Sequence, residues 1–92
     1  MIYTVKWSSR FKREYKACKK RGLNMALLHT VVETLASGET LPEKNRDHAL
    51  KGDHTGLREC HIQPDWLLVY YHNNDTLVLN LMQTGSHSDL FG

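Results

Sequence analysis

Two runs, Trp66-Leu-Leu-Val-Tyr-Tyr71 and Thr76-Leu-Val-Leu-Asn-Leu-Met-Gln83, joined by His72-Asn-Asn-Asp75, decide the fold. Both are rich in leucine, valine and aromatic side chains and have the length of strands. Between them Asn73-Asn74 suits a two-residue hairpin turn, because asparagine tolerates the positive φ that such turns require. Pairing His72 with Asp75 then puts Trp66, Leu68, Tyr70, Leu77, Leu79 and Leu81 on one apolar face, since side chains alternate along a strand. The other face is mixed, with Asp65, Leu67, Val69, Tyr71, Val78, Asn80 and Met82. Upstream, Leu57–Ile62 reads as a third strand. A turn centred on Gln63-Pro64 would set His61 across from Asp65, where opposed Cβ atoms lie about 4.5–5.5 Å apart. The same register sets Asp65 against Met82, so that Gln83 to His87 leaves the sheet near that carboxylate.

Working towards the N-terminus, residues 39–56 have no period and contain Pro42, Gly52 and Gly56, the pattern of a long surface connection that carries binding residues. Before it, Met25, Leu28, Val32 and Leu35 recur at helical spacing between a capping Asn24 and a terminating Gly38. Phe11, Tyr15 and Cys18 mark an earlier helix that starts at Ser8 or Ser9 and stops at Gly22. Ile2 to Trp7 alternates as a first strand and lacks the pattern of a secretion signal. The predicted class is α/β (α+β), one domain over residues 1–92, in the order β-α-α-β-β-β with both helices on an antiparallel meander.

The 40% hydrophobic and 24% charged composition suits a water-soluble chain, and no apolar run approaches the length of about 18 residues needed to span a bilayer. A cytoplasmic location is expected. Cys18 and Cys60 are a poor disulfide framework and read as buried apolar groups. The net charge of +2 hides an asymmetry. Residues 1–22 hold eight of the twelve Lys and Arg against Glu14 alone, giving +7 there and −5 over the remainder. Lys12, Arg13, Lys16, Lys19 and Lys20 can therefore lie on phosphate, or simply form a solvated helix face.

His48, His61 and His87, together with Asp65, gather around the polar face of the meander. Imidazoles exchange protons near neutrality, so several beside a carboxylate suggest general acid–base chemistry. Taken singly, His61 with Asp65 could be a cross-strand charge pair and Phe91 a core residue closing the C-terminus. His29 reads as a satisfied helix residue, Trp66 as packing, and His54 and His72 as solvated. No paired short spacing of Cys and His indicates zinc, and neither metal nor cofactor is expected.

The strings Asp47-His48-Ala-Leu-Lys-Gly52, Arg58-Glu-Cys-His61-Ile-Gln-Pro-Asp65-Trp66 and Thr84-Gly-Ser-His87-Ser-Asp-Leu-Phe91 resemble the RelE superfamily of toxins, most closely its YafQ branch. The resemblance covers nearly the whole chain and is most specific over residues 47–91. It implies a microbial-ribonuclease-like α/β fold and a metal-independent endoribonuclease that cuts messenger RNA in the ribosomal A site. It also implies inhibition by a cognate antitoxin, with operator DNA reached only through the antitoxin complex. On this resemblance Asp65, supported by His61, positions or deprotonates the 2′-hydroxyl, His87 protonates the leaving oxygen, and His48 steadies the phosphorane. The base falls to one of Asp65, His48 and His61. Phe91 would stack on or orient a base, and the lysine-rich helix would meet ribosomal RNA. The family commonly has an arginine where this chain has Gln83, so a fixed charge at the phosphate is lost unless Arg58 or protonated histidines compensate. A non-catalytic RNA- or protein-binding module, and a ribonuclease independent of the ribosome, are the alternatives.

Overall fold

Ser8 closes the first strand and opens the first helix. In the computed structural model, which describes residues 2–91, its hydroxyl accepts the Phe11 N–H at 2.9 Å and donates to the Met82 carbonyl at 2.8 Å. One side chain thus caps α1 (Ser9–Lys20) and ties it to the sheet. Asn24 caps α2 (Met25–Ala36) in the same way, accepting from Ala26 N–H at 3.1 Å. Each helix ends on a glycine in the left-handed region, Gly22 at φ 83° and Gly38 at φ 77°. The following N–H then turns back to the helix, Leu23 to the Cys18 carbonyl and Glu39 to that of Thr34.

The sheet has five strands in the order β1-β5-β4-β3-β2, formed by β1 (Thr4–Trp7), β2 (His48–Ala49), β3 (Arg58–Gln63), β4 (Trp66–Asn73) and β5 (Val78–Gly85). β1 pairs parallel with β5, and the remaining pairs are antiparallel. The expected α+β order holds, with two additions. The 39–56 connection contains the short edge strand β2, and a terminal helix α3 (His87–Phe91) follows β5.

The β4–β5 turn differs from the two-residue expectation. Asn73 pairs with Val78, and its Oδ1 accepts the N–H groups of Asp75 and Thr76 at 3.0 and 3.2 Å while Leu77 adopts φ 54°. That Asx-type bonding stabilises a longer turn better than a bare Asn-Asn corner. His72 therefore faces Leu79 and not Asp75, an offset of four residues. Four is even, so the expected sides survive: Trp66, Leu68, Tyr70, Leu79 and Leu81 all lie in the core. Leu77 alone of the expected set faces solvent, at 48% exposure.

Phe11, Cys18, Leu28, Val31 and Leu35 cover that face from α1 and α2. Each fully buried large side chain contributes about 1.5–3 kcal/mol. On α2, Val31 and Ala36 are buried and Val32 only half-buried, so the stripe is rotated slightly from the sequence expectation. His72 also departs from its reading as solvated. Its Nε2–H donates to the Leu35 carbonyl at 2.9 Å and its ring lies 4.4 Å from that of Tyr3, which makes it a strut between sheet and helix.

An irregularity in the ladder redirects the end of β5. Tyr70 faces Leu81, but the next residue back, Val69, faces Gln83. Met82 is the extra residue of a β-bulge, and beyond it the side chains of β5 exchange faces. Thr84 turns towards the core, where it accepts from Trp66 Nε1–H at 3.0 Å and donates to the Leu67 carbonyl at 2.8 Å. Gln83 turns the other way.

Candidate active site

The face turned away from the helices carries a polar row. His48 pairs with Glu59, Glu59 with Val69, and Val69 with Gln83, so these four cross β2, β3, β4 and β5 in one line. The adjacent row is His61, Leu67 and Gly85. Glu59 is 5% exposed, and its Oε1 lies 3.6 Å from His48 Nε2 and 3.7 Å from His61 Nε2. The buried carboxylate thus lies against two imidazoles, a grouping of side-chain types suited to general acid–base chemistry. The sequence contained the signal for Glu59, because residues two apart on a strand share a face and Glu59 is two before His61.

Local structure fixes both rings. His48 Nδ1–H donates to the Arg46 carbonyl at 2.8 Å, and His61 Nδ1–H donates to that of Pro64 at 3.1 Å. Each Nε2 is thereby left to face Glu59. Asn45, buried in the turn before β2, donates from Nδ2 to the His61 carbonyl at 2.7 Å and clamps that turn onto β3.

His61 does not pair with Asp65. The register shifts after His61, so that His61 faces Leu67 and Gln63 faces Trp66. Asp65 therefore sits in the turn itself, exposed, and the expected Asp65–Met82 pairing does not form either. A tight turn needs its two central residues free of the ladder, and these are Pro64 and Asp65. Asp65 instead meets His87: its Oδ1 accepts the His87 N–H at 3.1 Å and lies 3.3 Å from Nδ1. The backbone N–H first, and then the imidazole, hold this carboxyl below the usual carboxylate range.

His87 opens α3, whose start is built as a capping box. Asp89 Oδ2 accepts the Ser86 N–H at 3.0 Å and Ser86 Oγ accepts the Asp89 N–H at 3.1 Å. Arg21, just past the end of α1, grips the same carboxylate with contacts of 2.8 and 3.3 Å. That guanidinium holds the Asp89 carboxyl well below its ordinary range. Gly85 is required beneath it, because a Cβ there would lie 2.9 Å from Asp89 Oδ2. The result is a line of rings. Centroids are 6.5 Å apart for His48–His61, 5.8 Å for His61–His87 and 6.4 Å for His87–Phe91. His54 ends the line 5.5 Å from Phe91, partnered and not merely solvated; nothing in the sequence signals that contact.

Residues 3–92 match the family described as the bacterial toxin YafQ of type II toxin-antitoxin systems. The chain belongs to the YafQ toxin family. It is 32% identical to the Escherichia coli K12 protein named mRNA interferase toxin YafQ over 89 residues, 96% of this chain and 95% of that one. A metal-bound toxin from Helicobacter pylori superposes with a TM-score of 0.92 at 42% identity, covering 97% of this chain and 99% of the other. YafQ in the E. coli DinJ–YafQ complex superposes at 0.89 with 31% identity, covering 98% and 99%.

Within this YafQ-family chain the remaining predicted residues fall into three places. Gln83 lies in the polar row, and among the described residues its Oε1 is a buried acceptor that receives no hydrogen bond. Arg58 is on the other face, paired with Tyr70 and not with the histidine row. It contacts Asp47 at 3.3 Å, and Asp47 also accepts from the Tyr70 hydroxyl, so strand alternation directs its charge away from the site. Lys12, Arg13, Lys16, Lys19 and Lys20 are exposed on α1, which packs on the core side of the sheet. Trp66 is 2% exposed and serves packing. Among the described residues no three His, Cys, Asp or Glu are grouped to hold a metal ion, and no helix is long and apolar enough to cross a membrane.

Proposed function

We propose that this YafQ-family toxin is an endoribonuclease that cuts messenger RNA in the ribosomal A site by attack of the 2′-hydroxyl on the adjacent phosphate. The observation that carries this reading is the line of three imidazoles, 6.5 and 5.8 Å between neighbours, with Glu59 beneath two of them and Asp65 against the third. Such cleavage needs a base for the 2′-hydroxyl proton and an acid for the 5′-oxygen that leaves. The products are a 2′,3′-cyclic phosphate and a free 5′-hydroxyl, so one proton is taken and one returned.

His61 or His48, each with Nε2 towards Glu59, takes the proton. His87 returns one to the leaving oxygen, and Asp65 orients its ring through Nδ1. Asp65 thus acts through His87 and not on the hydroxyl. Whichever of His48 and His61 is not the base steadies the phosphorane charge. Phe91, 42% exposed at the end of the line, orients an unstacked base. The scheme is metal-independent. The exposed lysines and arginine of α1 point away from the histidine row, which suits an enzyme surrounded by ribosomal RNA, with message on one side and structural RNA on the other. The partner is a cognate antitoxin, as the E. coli relative's complex with DinJ suggests. Operator DNA is reached only through that complex, and the site of action is the cytoplasm.

The experiment is cut-site mapping on ribosomes programmed with a defined message, with and without EDTA. Cleavage that survives EDTA and falls about 100-fold or more in His87→Ala and in the His48→Ala/His61→Ala pair is expected. Full-rate cleavage by both variants would overturn the assigned roles. Equal cleavage of naked RNA would favour a ribosome-independent ribonuclease, and binding with no cleavage by the parent would favour a passive RNA-binding module.

A further inference from the structure

With Arg58 on the far face, positive charge beside the histidine row must come from elsewhere. Beyond residue 22 the chain holds only four Lys and Arg against nine Asp and Glu. Two of those four, Lys44 and Arg46, stand on the rim of one groove between α2 and β3, and His61 is part of its wall. The groove encloses about 670 Å³, within the range of about 300–1,000 Å³ usual for small-ligand sites. Its floor is aliphatic, from Leu27, Ile62 and Pro64. Leu27 is 38% exposed.

The rim is held in place by the site itself. Arg46 adopts φ 47°, and its carbonyl receives the His48 Nδ1–H at 2.8 Å. Asn45, between the two cations, is fastened to the His61 carbonyl at 2.7 Å. A non-glycine residue held in the left-handed region, as Arg46 is beside Lys44 and His61, is the kind of local arrangement found at functional sites.

We propose that this groove is a nucleotide subsite, resting on the ribonuclease reading above: Lys44 and Arg46 hold the phosphate next to the scissile one while its base lies on Leu27, Ile62 and Pro64. Cation and apolar floor in one groove match the two parts of a nucleotide, and His61 is shared between the groove wall and the histidine row. The cations supply the phosphate charge that Gln83 cannot. With an aliphatic floor, the subsite accepts any base.

The test uses a hexanucleotide RNA with a 2′-O-methyl on every sugar, which has no nucleophilic hydroxyl and cannot be cut. Titrated into isotope-labelled protein, it should shift the amide signals of Lys44, Arg46 and Ile62. Lys44→Gln and Arg46→Gln should each weaken binding about tenfold. In the double variant the slope of log Kd against log salt should fall by about 1.4, because each cation removed from a single-stranded backbone lowers it by about 0.7. Both variants should unfold at the parent's temperature, since both side chains are exposed. No binding, shifts confined to other surfaces, or an unchanged slope in the double variant would overturn the subsite. A parent that binds in the groove yet leaves ribosomal message intact would overturn the ribonuclease reading alone.

Discussion

Replacing Asp89 by asparagine tests how the His87 helix is held. The carboxylate has two kinds of partner: the Arg21 guanidinium at 2.8 and 3.3 Å, and the Ser86 N–H at 3.0 Å. The ion pair is partly exposed, 51% for Arg21 and 33% for Asp89, so it is worth about 0.5–1 kcal/mol after screening. The helix-start bond adds about 0.5 kcal/mol, since asparagine can replace part of it. The expected destabilisation is about 1–1.5 kcal/mol, or about 4–12 °C in Tm for a domain of this size. Because the folded-state pKa is depressed, the stabilisation is fully present above the unfolded carboxylate value of about 3.9. It is lost progressively as pH falls from that value through the depressed folded-state value. The Tm gap between parent and Asp89→Asn should therefore be wider at pH 7 than at pH 3. A double-mutant cycle with Arg21→Met, followed by thermal unfolding, should give a coupling of about 0.5–1 kcal/mol. A gap of equal size at both pH values, or a coupling near zero, would refute the account of the clamp.

Two further outcomes follow from the same geometry. Gly85→Ala places a methyl 2.9 Å from Asp89 Oδ2, so α3 must shift; cleavage should fall more than tenfold while Tm falls by only a few degrees, measured on one preparation. Glu59→Gln keeps the shape but removes the charge between His48 and His61, and single-turnover cleavage should slow about tenfold to 100-fold with a changed pH profile. Parent-like rates in that variant would remove Glu59 from the mechanism.

Much of the architecture was legible because face, not pairing, decides what is buried. Tyr70, Leu79 and Leu81 reach the core whether His72 faces Asp75 or Leu79, since the two registers differ by an even number. The helix boundaries at Ser8, Gly22, Asn24 and Gly38 were readable for a local reason: caps and left-handed stops depend on nearest neighbours. The partners of the candidate site were harder. The shift after His61 depends on a turn whose exact residues periodicity does not specify, and it exchanges Asp65 for Glu59 beneath His61. His54 meets Phe91 across 37 residues of chain, a contact with no local signature. Arg58 could have been placed correctly, because it lies an odd number of residues from His61 on one strand.

The bulge at Met82 acts as a frameshift written in space. Up to Leu81, β5 is read in one frame, odd positions inward; after it the frame changes and odd positions face out. In an unbroken ladder Gln83 would point into the core beside Leu81, and Thr84 would occupy the side of the histidine row. The expectation of an arginine at the position of Gln83 therefore has meaning only between chains that keep the same inserted residue. For this strand, counting residues is as much a part of specifying the chemistry as choosing them.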